Sequence, residues 1–190
     1  MNRGLLLVVS GPSGVGKGTV LKELMAQQEN LYYSVSVTTR KPRVGEQDGV
    51  HYHFISKEAF ENLIAADGVL EHAKYCDNYY GTPRKEVEQM LSSGKNVLLE
   101  IEPCGARQII EKCPDAISIF IMPPSMQVLR QRLSGRGTED EQTVQKRLAA
   151  AQQEIDQAKF YRYRVTNDTI ENATAQIVEI IKQNQKTEVL

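Results

Sequence analysis

A glycine-rich stretch near the beginning of the chain leaves it few possible folds. The stretch is Gly11-Pro12-Ser13-Gly14-Val15-Gly16-Lys17-Gly18-Thr19. The apolar run Leu5–Val9 before it predicts a buried strand, and Thr19–Gln27 behind it predicts a helix. A glycine-rich strand-to-helix turn is the setting of a phosphate-binding loop, since its N–H groups and the helix dipole both favour a phosphate. We therefore predict nucleotide binding, with Lys17 reaching the outer phosphates.

The residue after the lysine departs from the usual form of such a loop. A serine or threonine is common there, whereas this chain has Gly18, with Thr19 one place later. The pattern thus predicts phosphate binding more strongly than a direct hydroxyl ligand for magnesium. A glycine-rich connection without a ligand is the alternative, and it is disfavoured because strand, glycines, lysine and helix are in register.

Length and charge exclude several classes of protein. The 190 residues are enough for one well-buried core with insertions, and the formal net charge of −1 gives no electrostatic reason to expect nucleic acid or a membrane as partner. Three cysteines without paired spacing argue against a disulfide framework or a zinc site. The first residues lack a long apolar span or a signal peptide. We expect a reduced, cytoplasmic, soluble protein.

A basic segment follows a predicted strand. Ser34–Thr39 alternates polar and apolar residues, which predicts a half-buried strand, and Arg40-Lys41-Pro42-Arg43 comes next. Two guanidinium groups around a proline, with Tyr52 downstream, suit a compact dianion such as a phosphate monoester. The alternative is an ordinary solvated basic loop.

Three acidic residues lie in predicted strands. Val69–Tyr75 alternates like a strand and contains Glu71, for which an outward-facing carboxylate is an equal alternative. Val97–Glu102 predicts a buried strand with Glu100 and Glu102 on one face. A carboxylate at the end of a strand near a phosphate loop commonly serves magnesium and its waters. His51, His53 and His72 lack metal-ligand spacing and are expected to be surface or packing residues.

The order of strands and helices predicts an α/β fold with a mainly parallel sheet. Near its end, a helix from Ser125 and a second helix after a possible capping box at Thr138 flank the segment Ser134–Gly137. Arginines cluster around this pair: Arg130, Arg132, Arg136 and Arg147. A lid over transferring phosphates and a charged helical hairpin both fit this pattern.

Four motifs in this order make nearly the whole chain resemble the guanylate kinase family of P-loop nucleoside monophosphate kinases. They are Ser10–Lys17, Ser36–Arg43, Asn78–Thr82 and Gly135–Thr138. The resemblance implies a P-loop core with a five-stranded parallel sheet flanked by helices (1–36, 93–124 and 162–190), a GMP-binding insertion (37–92) and a helical lid (125–161). It also implies transfer of the γ-phosphoryl group of ATP to GMP, and to dGMP, with Mg²⁺ as cofactor, in purine metabolism.

The resemblance also implies roles for individual residues. The GMP phosphate would be bound by Ser36, Arg40, Arg43, Tyr52 and Tyr80, and guanine by Glu71, Thr82 and Glu102. The residues implied for ATP are the glycine-rich stretch from Gly11 to Thr19, Arg136, and Asn167 near the adenine. Arg136 and Arg147 resemble the lid arginines of the family. The predicted catalytic residues are Lys17, Arg40, Arg136 and Arg147. Magnesium would be held by Thr19 and Glu100, through water.

Two departures and two alternative functions accompany this resemblance. Glu102 stands where the family commonly has aspartate, and Gly18 stands where a hydroxyl residue is usual. The alternatives are a catalytically dead module that binds phosphorylated protein segments, and a kinase for another nucleoside monophosphate. The intact loop with Lys17 argues against the first, and Glu71 argues against the second. Oligomeric state is not decided by the sequence.

Overall fold

The computed structural model describes residues 3–75, 77–134 and 141–187. In chain order the elements are β1 (Leu6–Ser10), α1 (Lys17–Gln27), β2 (Leu31–Tyr33), β3 (Val37–Thr38), β4 (His53–Phe54), α2 (Lys57–Ala65), β5 (Val69–Tyr75), β6 (Asn78–Pro83), α3 (Arg84–Ser92), β7 (Asn96–Glu100), α4 (Pro103–Lys112), β8 (Ile117–Met122), α5 (Met126–Ser134), α6 (Glu141–Ile155), a 3₁₀ helix (Asp156–Phe160), β9 (Tyr163–Thr166) and α7 (Ile170–Thr187).

Five of these strands form a parallel sheet in the order β2-β7-β1-β8-β9. Its central strands are apolar at nearly every position, and Leu7, Val8 and Val9 of β1 are fully buried. Continuous burial is expected when both faces of a parallel sheet are covered, since no position is left for alternating polar residues. The predicted α/β class and the parallel sheet are confirmed.

The second strand of this sheet is not the predicted one. Residues 34–39 were expected to form a strand, yet β2 is the shorter Leu31–Tyr33, which pairs in parallel with β7. Only Val37–Thr38 of the predicted segment is strand, and it belongs to a different sheet. Ser34, directly after β2, is buried although it is polar, and its N–H donates to the carbonyl of Leu98 at 3.0 Å. Polar–apolar alternation therefore did not locate the strand.

The chain divides into two compact units, and the first combines the stretch up to Val8 with Asn30–Ala116. It contains a four-stranded sheet in the order β4-β3-β6-β5, with β6 antiparallel to both of its neighbours. Val37, Phe60 and Val69 form its buried cluster. Helix α2 begins where predicted, because the Ser56 hydroxyl caps the N–H of Ala59 at 3.1 Å.

The second unit combines Val9–Glu29 with the chain from Ile117 onward. The glycine-rich stretch enters α1, and α5 and α6 pack together through Leu129, Leu133, Val144 and Ala151. Arg136 and the possible capping box at Thr138 lie outside the described residues. The division into core, insertion and lid at residues 37, 93, 125 and 162 stays a prediction.

Within the described chain, no helix has the length and apolar character needed to cross a membrane.

Candidate functional site

The glycine-rich stretch forms a tight turn in front of α1, in the second unit. Gly16 is the N-cap residue with φ 91°, a left-handed conformation that glycine adopts without strain. Its carbonyl accepts from the N–H groups of Thr19 and Val20 at 3.1 and 3.2 Å, which starts the helix. Lys17 is the first helical residue, and its ammonium donates to the Gly11 carbonyl at 3.3 Å. The lysine therefore reaches back over the turn that it follows.

Helix α6 contacts the same turn. Arg147 donates from Nη2 to the Ser13 hydroxyl at 2.7 Å, and the Ser13 N–H donates to Oε2 of Glu154 at 3.3 Å. A carboxylate thus lies against a loop N–H group, where an anion is expected to bind. The structure therefore brings Arg147, a predicted lid arginine, to the predicted phosphate loop.

Asn167, the residue that follows β9, packs against the glycine-rich turn. Its Nδ2 donates to the Val15 carbonyl at 2.7 Å, and an added Cβ on Gly16 would lie 2.7 Å from that nitrogen. Arg132 donates to the carbonyls of Val15 and Asn167 at 3.0 and 2.9 Å. Asn167 is buried, and its Oδ1 has no hydrogen-bond partner among the described residues. A buried acceptor without a partner is costly, so it favours a ligand that donates there.

In the first unit, Arg40 is held by a carboxylate. Its Nη1 and Nη2 donate to Glu46 at 2.9 and 2.8 Å, and the Arg43 N–H donates to the same carboxylate at 2.7 Å. The Arg40 guanidinium is the main reason that the pKa of Glu46 falls to about 2. Arg43 itself is exposed. The loop thus holds one predicted phosphate ligand in place and leaves the other in solvent.

Aromatic rings surround the same guanidinium. Arg40 lies 5.4 Å from the ring centroid of Tyr52 and 5.8 Å from that of Phe54. The Tyr52 and Tyr80 rings meet edge to face at 5.9 Å. The hydrogen bond to Glu46 is the main reason that the pKa of Arg40 is raised, and a hydrogen bond to Tyr80 adds to it. Arg40, Tyr52 and Tyr80 therefore lie together. Ser36 is half-buried, and its carbonyl accepts from the N–H of His53 at 2.9 Å.

Glu71 lies in the interior of the first unit. It is 4% exposed, so the outward-facing alternative is wrong. The Thr82 hydroxyl donates to Oε1 at 2.8 Å, joining the two predicted base ligands on adjacent strands. Burial raises the pKa of Glu71 above its ordinary value, and the Thr82 hydrogen bond and the Lys112 charge oppose that rise. A buried carboxylate is stabilised by hydrogen-bond donors, so this position favours a ligand that donates to it.

The two other acidic residues differ in position. Glu100 ends β7, and Tyr33 donates its hydroxyl to Oε2 of Glu100 at 3.1 Å. Burial, and then Glu100, raise the pKa of Tyr33. Glu102 was predicted to continue this strand, but it is the exposed residue before α4. Pro103 fixes the first turn of that helix, which ends the strand earlier.

The described residues offer few candidate ligands for a metal ion. No group of three His, Cys, Asp or Glu side chains in the described ranges could hold an ion. Thr19 is exposed in the first turn of α1. His51 accepts from the Gln47 N–H through Nδ1, and His53 lies 3.7 Å from Glu86. His51 and His53 thus make loop and surface contacts.

Several residues of these sites had no predicted role. They are Glu46, Gly105, Gln108, Lys112 and Glu154. Each acts through a contact with a residue distant in the chain or with a backbone group, which leaves no spacing pattern. For Glu46 one signal existed, because it lies within a few residues of two arginines.

Comparisons with known proteins agree with one another. The family model described as guanylate kinase matches residues 3–184. The chain is 56% identical over 182 residues to guanylate kinase of Latilactobacillus sakei subsp. sakei (strain 23K), covering 95% of this chain and 90% of that protein. It is 49% identical over 185 residues to guanylate kinase of Clostridioides difficile (strain 630), covering 97% and 90%.

Solved structures give the same result. The crystal structure of guanylate kinase from Anaplasma phagocytophilum aligns with a TM-score of 0.78 and 38% sequence identity. The alignment covers 97% of this chain and 87% of that one.

Proposed function

Because the chain belongs to the guanylate kinase family, which transfers a phosphoryl group from ATP to GMP, we propose a role for each of its two described sites. The second unit holds the triphosphate of the donor, and the first holds the acceptor GMP. Phosphoryl transfer needs positioning and charge neutralisation more than covalent chemistry by the protein. The acceptor oxygen of GMP is already ionised, so no strong general base is required.

On the donor side, the loop from Gly11 to Thr19 would bind the phosphates through its N–H groups. Lys17 then places a positive charge on the moving phosphoryl group, where charge neutralisation counts most in the transition state. Arg147, already bonded to the loop through Ser13, and Arg136 would add to it. The Oδ1 of Asn167, which has no hydrogen-bond partner in the part of the chain that the structure describes, would accept from the amino group of adenine.

On the acceptor side, Arg40, Arg43, Tyr52, Tyr80 and Ser36 would bind the GMP phosphate. The Arg40 guanidinium donates one N–H from each Nη to Glu46 and lies beside aromatic rings, so its remaining N–H groups are oriented before the substrate arrives. An oriented guanidinium loses less entropy on binding a phosphate than a free side chain does.

Guanine recognition would centre on Glu71. Guanine presents N1–H and the 2-amino group as adjacent donors, and one carboxylate can accept from both. Adenine has an N1 lone pair at this edge, which would face the carboxylate and leave a buried charge unpaired. The Thr82 hydroxyl, whose proton is donated to Glu71 in this structure, would turn that proton to O6 of guanine. Glu102, exposed before α4, is proposed as a further base contact.

Magnesium would be supplied with ATP. The oxygen donors available, the Thr19 hydroxyl and the Glu100 carboxylate, are of the kind that magnesium prefers. Because the described residues include no three-ligand group, the ion would be held mainly by nucleotide phosphates and water, with these two residues bound through water. The ion would neutralise phosphate charge when bound.

The buried Glu71–Thr82 pair carries this proposal, since a carboxylate in the interior is costly unless a ligand uses it. The test is ADP formation from MgATP with GMP, dGMP, AMP, CMP, UMP and dTMP offered in turn. GMP and dGMP should be used, and AMP should be rejected by up to roughly four decades. Comparable use of AMP would contradict the role of Glu71, and no turnover with any of them would favour a binding module.

A further inference from the structure

One face of α4 lies along β5 at the position of Glu71. The residues that make the contact are Gly105, Gln108 and Lys112, whose spacing of three and four places them on one side of the helix. The other side carries the exposed pair Arg107 and Glu111, bonded at 2.9 Å. The helix thus has one face for β5 and one for solvent.

Gln108 bonds to the backbone next to Glu71. Its Nε2 donates to the His72 carbonyl at 2.8 Å, and its Oε1 accepts from the His72 N–H at 3.3 Å. The side-chain amide thereby takes the place that a neighbouring strand would have. Gln108 fixes β5 immediately after Glu71.

Lys112 bonds to the backbone on the other side of Glu71. Its ammonium donates to the Leu70 carbonyl at 3.0 Å, and its charge favours the ionised form of Glu71. The residues before and after Glu71 are therefore both tied to α4. The strand cannot shift along the helix without breaking these bonds.

Gly105 determines how close the carboxylate comes to the helix. A Cβ built on Gly105 would lie 2.3 Å from Oε2 of Glu71 and 3.0 Å from its Cδ. Any larger residue must push the carboxylate away. Oε1 is meanwhile held by Thr82 at 2.8 Å, so the displacement would break or rotate that contact.

We propose that the α4 face formed by Gly105, Gln108 and Lys112 positions the Glu71 carboxylate for guanine and so sets the base selectivity of the enzyme. These are positioning residues, and the inference rests on the proposed function of Glu71. A carboxylate that must accept two donors from one base edge has to lie in the plane of that base, and small displacements of such a group lose much of its effect.

Gly105→Ala is the sharpest variant. Alanine favours a helix more than glycine does, but its Cβ also crowds the buried carboxylate of Glu71, so the thermal midpoint should change little or fall while the protein stays folded. The KM for GMP should nevertheless increase at least about tenfold, while the KM for ATP changes less than about twofold. Selectivity for GMP over IMP, which lacks the 2-amino group, should fall. A variant with normal GMP kinetics would overturn the proposal.

Gln108 allows an isosteric comparison. Gln108→Glu keeps the shape and an acceptor for the His72 N–H but cannot donate to the His72 carbonyl. It should raise the KM for GMP by about three- to tenfold, and Gln108→Ala should do the same. Glu111→Ala on the solvent face is the matched control and should leave both KM values unchanged. Full GMP efficiency in Gln108→Glu would mean that the amide pairing has no part in base binding.

Glu71→Gln, measured in the same assay, distinguishes this proposal from the proposal that Glu71 binds guanine. If Glu71→Gln loses GMP efficiency while the Gly105 and Gln108 variants keep it, Glu71 contacts guanine but the α4 face does not position it. If Glu71→Gln also keeps full efficiency, the role of Glu71 itself is wrong, and the α4 proposal falls with it.

Discussion

Arg40 and Glu46 form a two-point ion pair, with both Nη atoms of the arginine bonded to one carboxylate at 2.9 and 2.8 Å. Both side chains are mostly shielded from solvent, at 15% and 18% exposure. The pair lies in the segment proposed to bind the GMP phosphate. Its geometry depends on the planar fork of arginine, which lysine cannot reproduce.

Arg40→Lys is therefore expected to raise the KM for GMP at least about tenfold, the scale of losing a charge-assisted two-point contact. Arg43→Lys should act in the same direction. Steady-state kinetics with each substrate varied would measure this, with Lys41→Arg as the control for an exposed neighbour. The KM for ATP should change little. Equal damage to ATP and GMP binding would assign this loop to something other than the acceptor phosphate.

Lys17→Met should reduce turnover by at least about a hundredfold, because a contact to the moving phosphoryl group counts mainly in the transition state. The fold should remain intact, since the lysine ammonium bonds to a loop carbonyl at 3.3 Å and is not part of the core. Circular dichroism would check the fold and a coupled ADP assay the turnover. Lys22→Met on the same helix is the control. Near-normal turnover in Lys17→Met would refute the phosphate-loop assignment.

Glu71→Gln should lower kcat/KM for GMP by about a hundredfold or more, since glutamine can accept from only one of the two guanine donors. ATP binding should barely change. GMP and AMP kinetics of the wild type and the variant measure this, with the exposed Glu61→Gln as control. Unchanged GMP efficiency would mean that the Glu71 carboxylate does not contact the base.

The same variant has a predictable effect on stability. Burial raises the pKa of Glu71, so its contribution to folding is most favourable below the ordinary value of 4.5 and is lost as pH rises through the folded value. Glu71→Gln carries no such charge. Its unfolding free energy should match the wild type in acid and exceed it near neutrality.

Urea unfolding at a series of pH values would test this. Glu46, whose pKa is lowered to about 2, titrates in a different range and does not confuse the result. If the difference in unfolding free energy between Glu71→Gln and the wild type became smaller toward neutral pH, this would contradict a raised pKa of Glu71.

The sequence predicted those parts of the structure that depend on local pattern. Glu71 lies in its predicted strand, and the cap at Ser56 is the predicted one. The glycine loop precedes α1 as expected. These features are encoded by the alternation of polar and apolar residues in a strand, by capping residues and by glycine at a left-handed position.

The rest depends on contacts between distant residues. Leu31–Tyr33 is too short to show a period, and the N–H of the buried Ser34 bonds to Leu98, more than sixty positions later in the chain. Gln108 and Lys112 look like ordinary polar residues of an amphipathic helix until β5 is placed beside them. Their partners are backbone groups, and every residue has these, so the sequence does not show which ones are bonded.

The contacts between α4 and β5 have a consequence beyond the base site. Among the described strands, β5 is one of the two edge strands of its sheet, and an edge strand can pair with an extended chain through backbone groups that face outward. Gln108 and Lys112 cover the groups of His72 and Leu70 that face outward. Substitutions of Gln108 or Lys112 that loosen guanine selectivity would therefore also expose these backbone groups of β5. Broadening the substrate range through these two positions should increase aggregation, whereas Gly105→Ala leaves both side chains in place and should not.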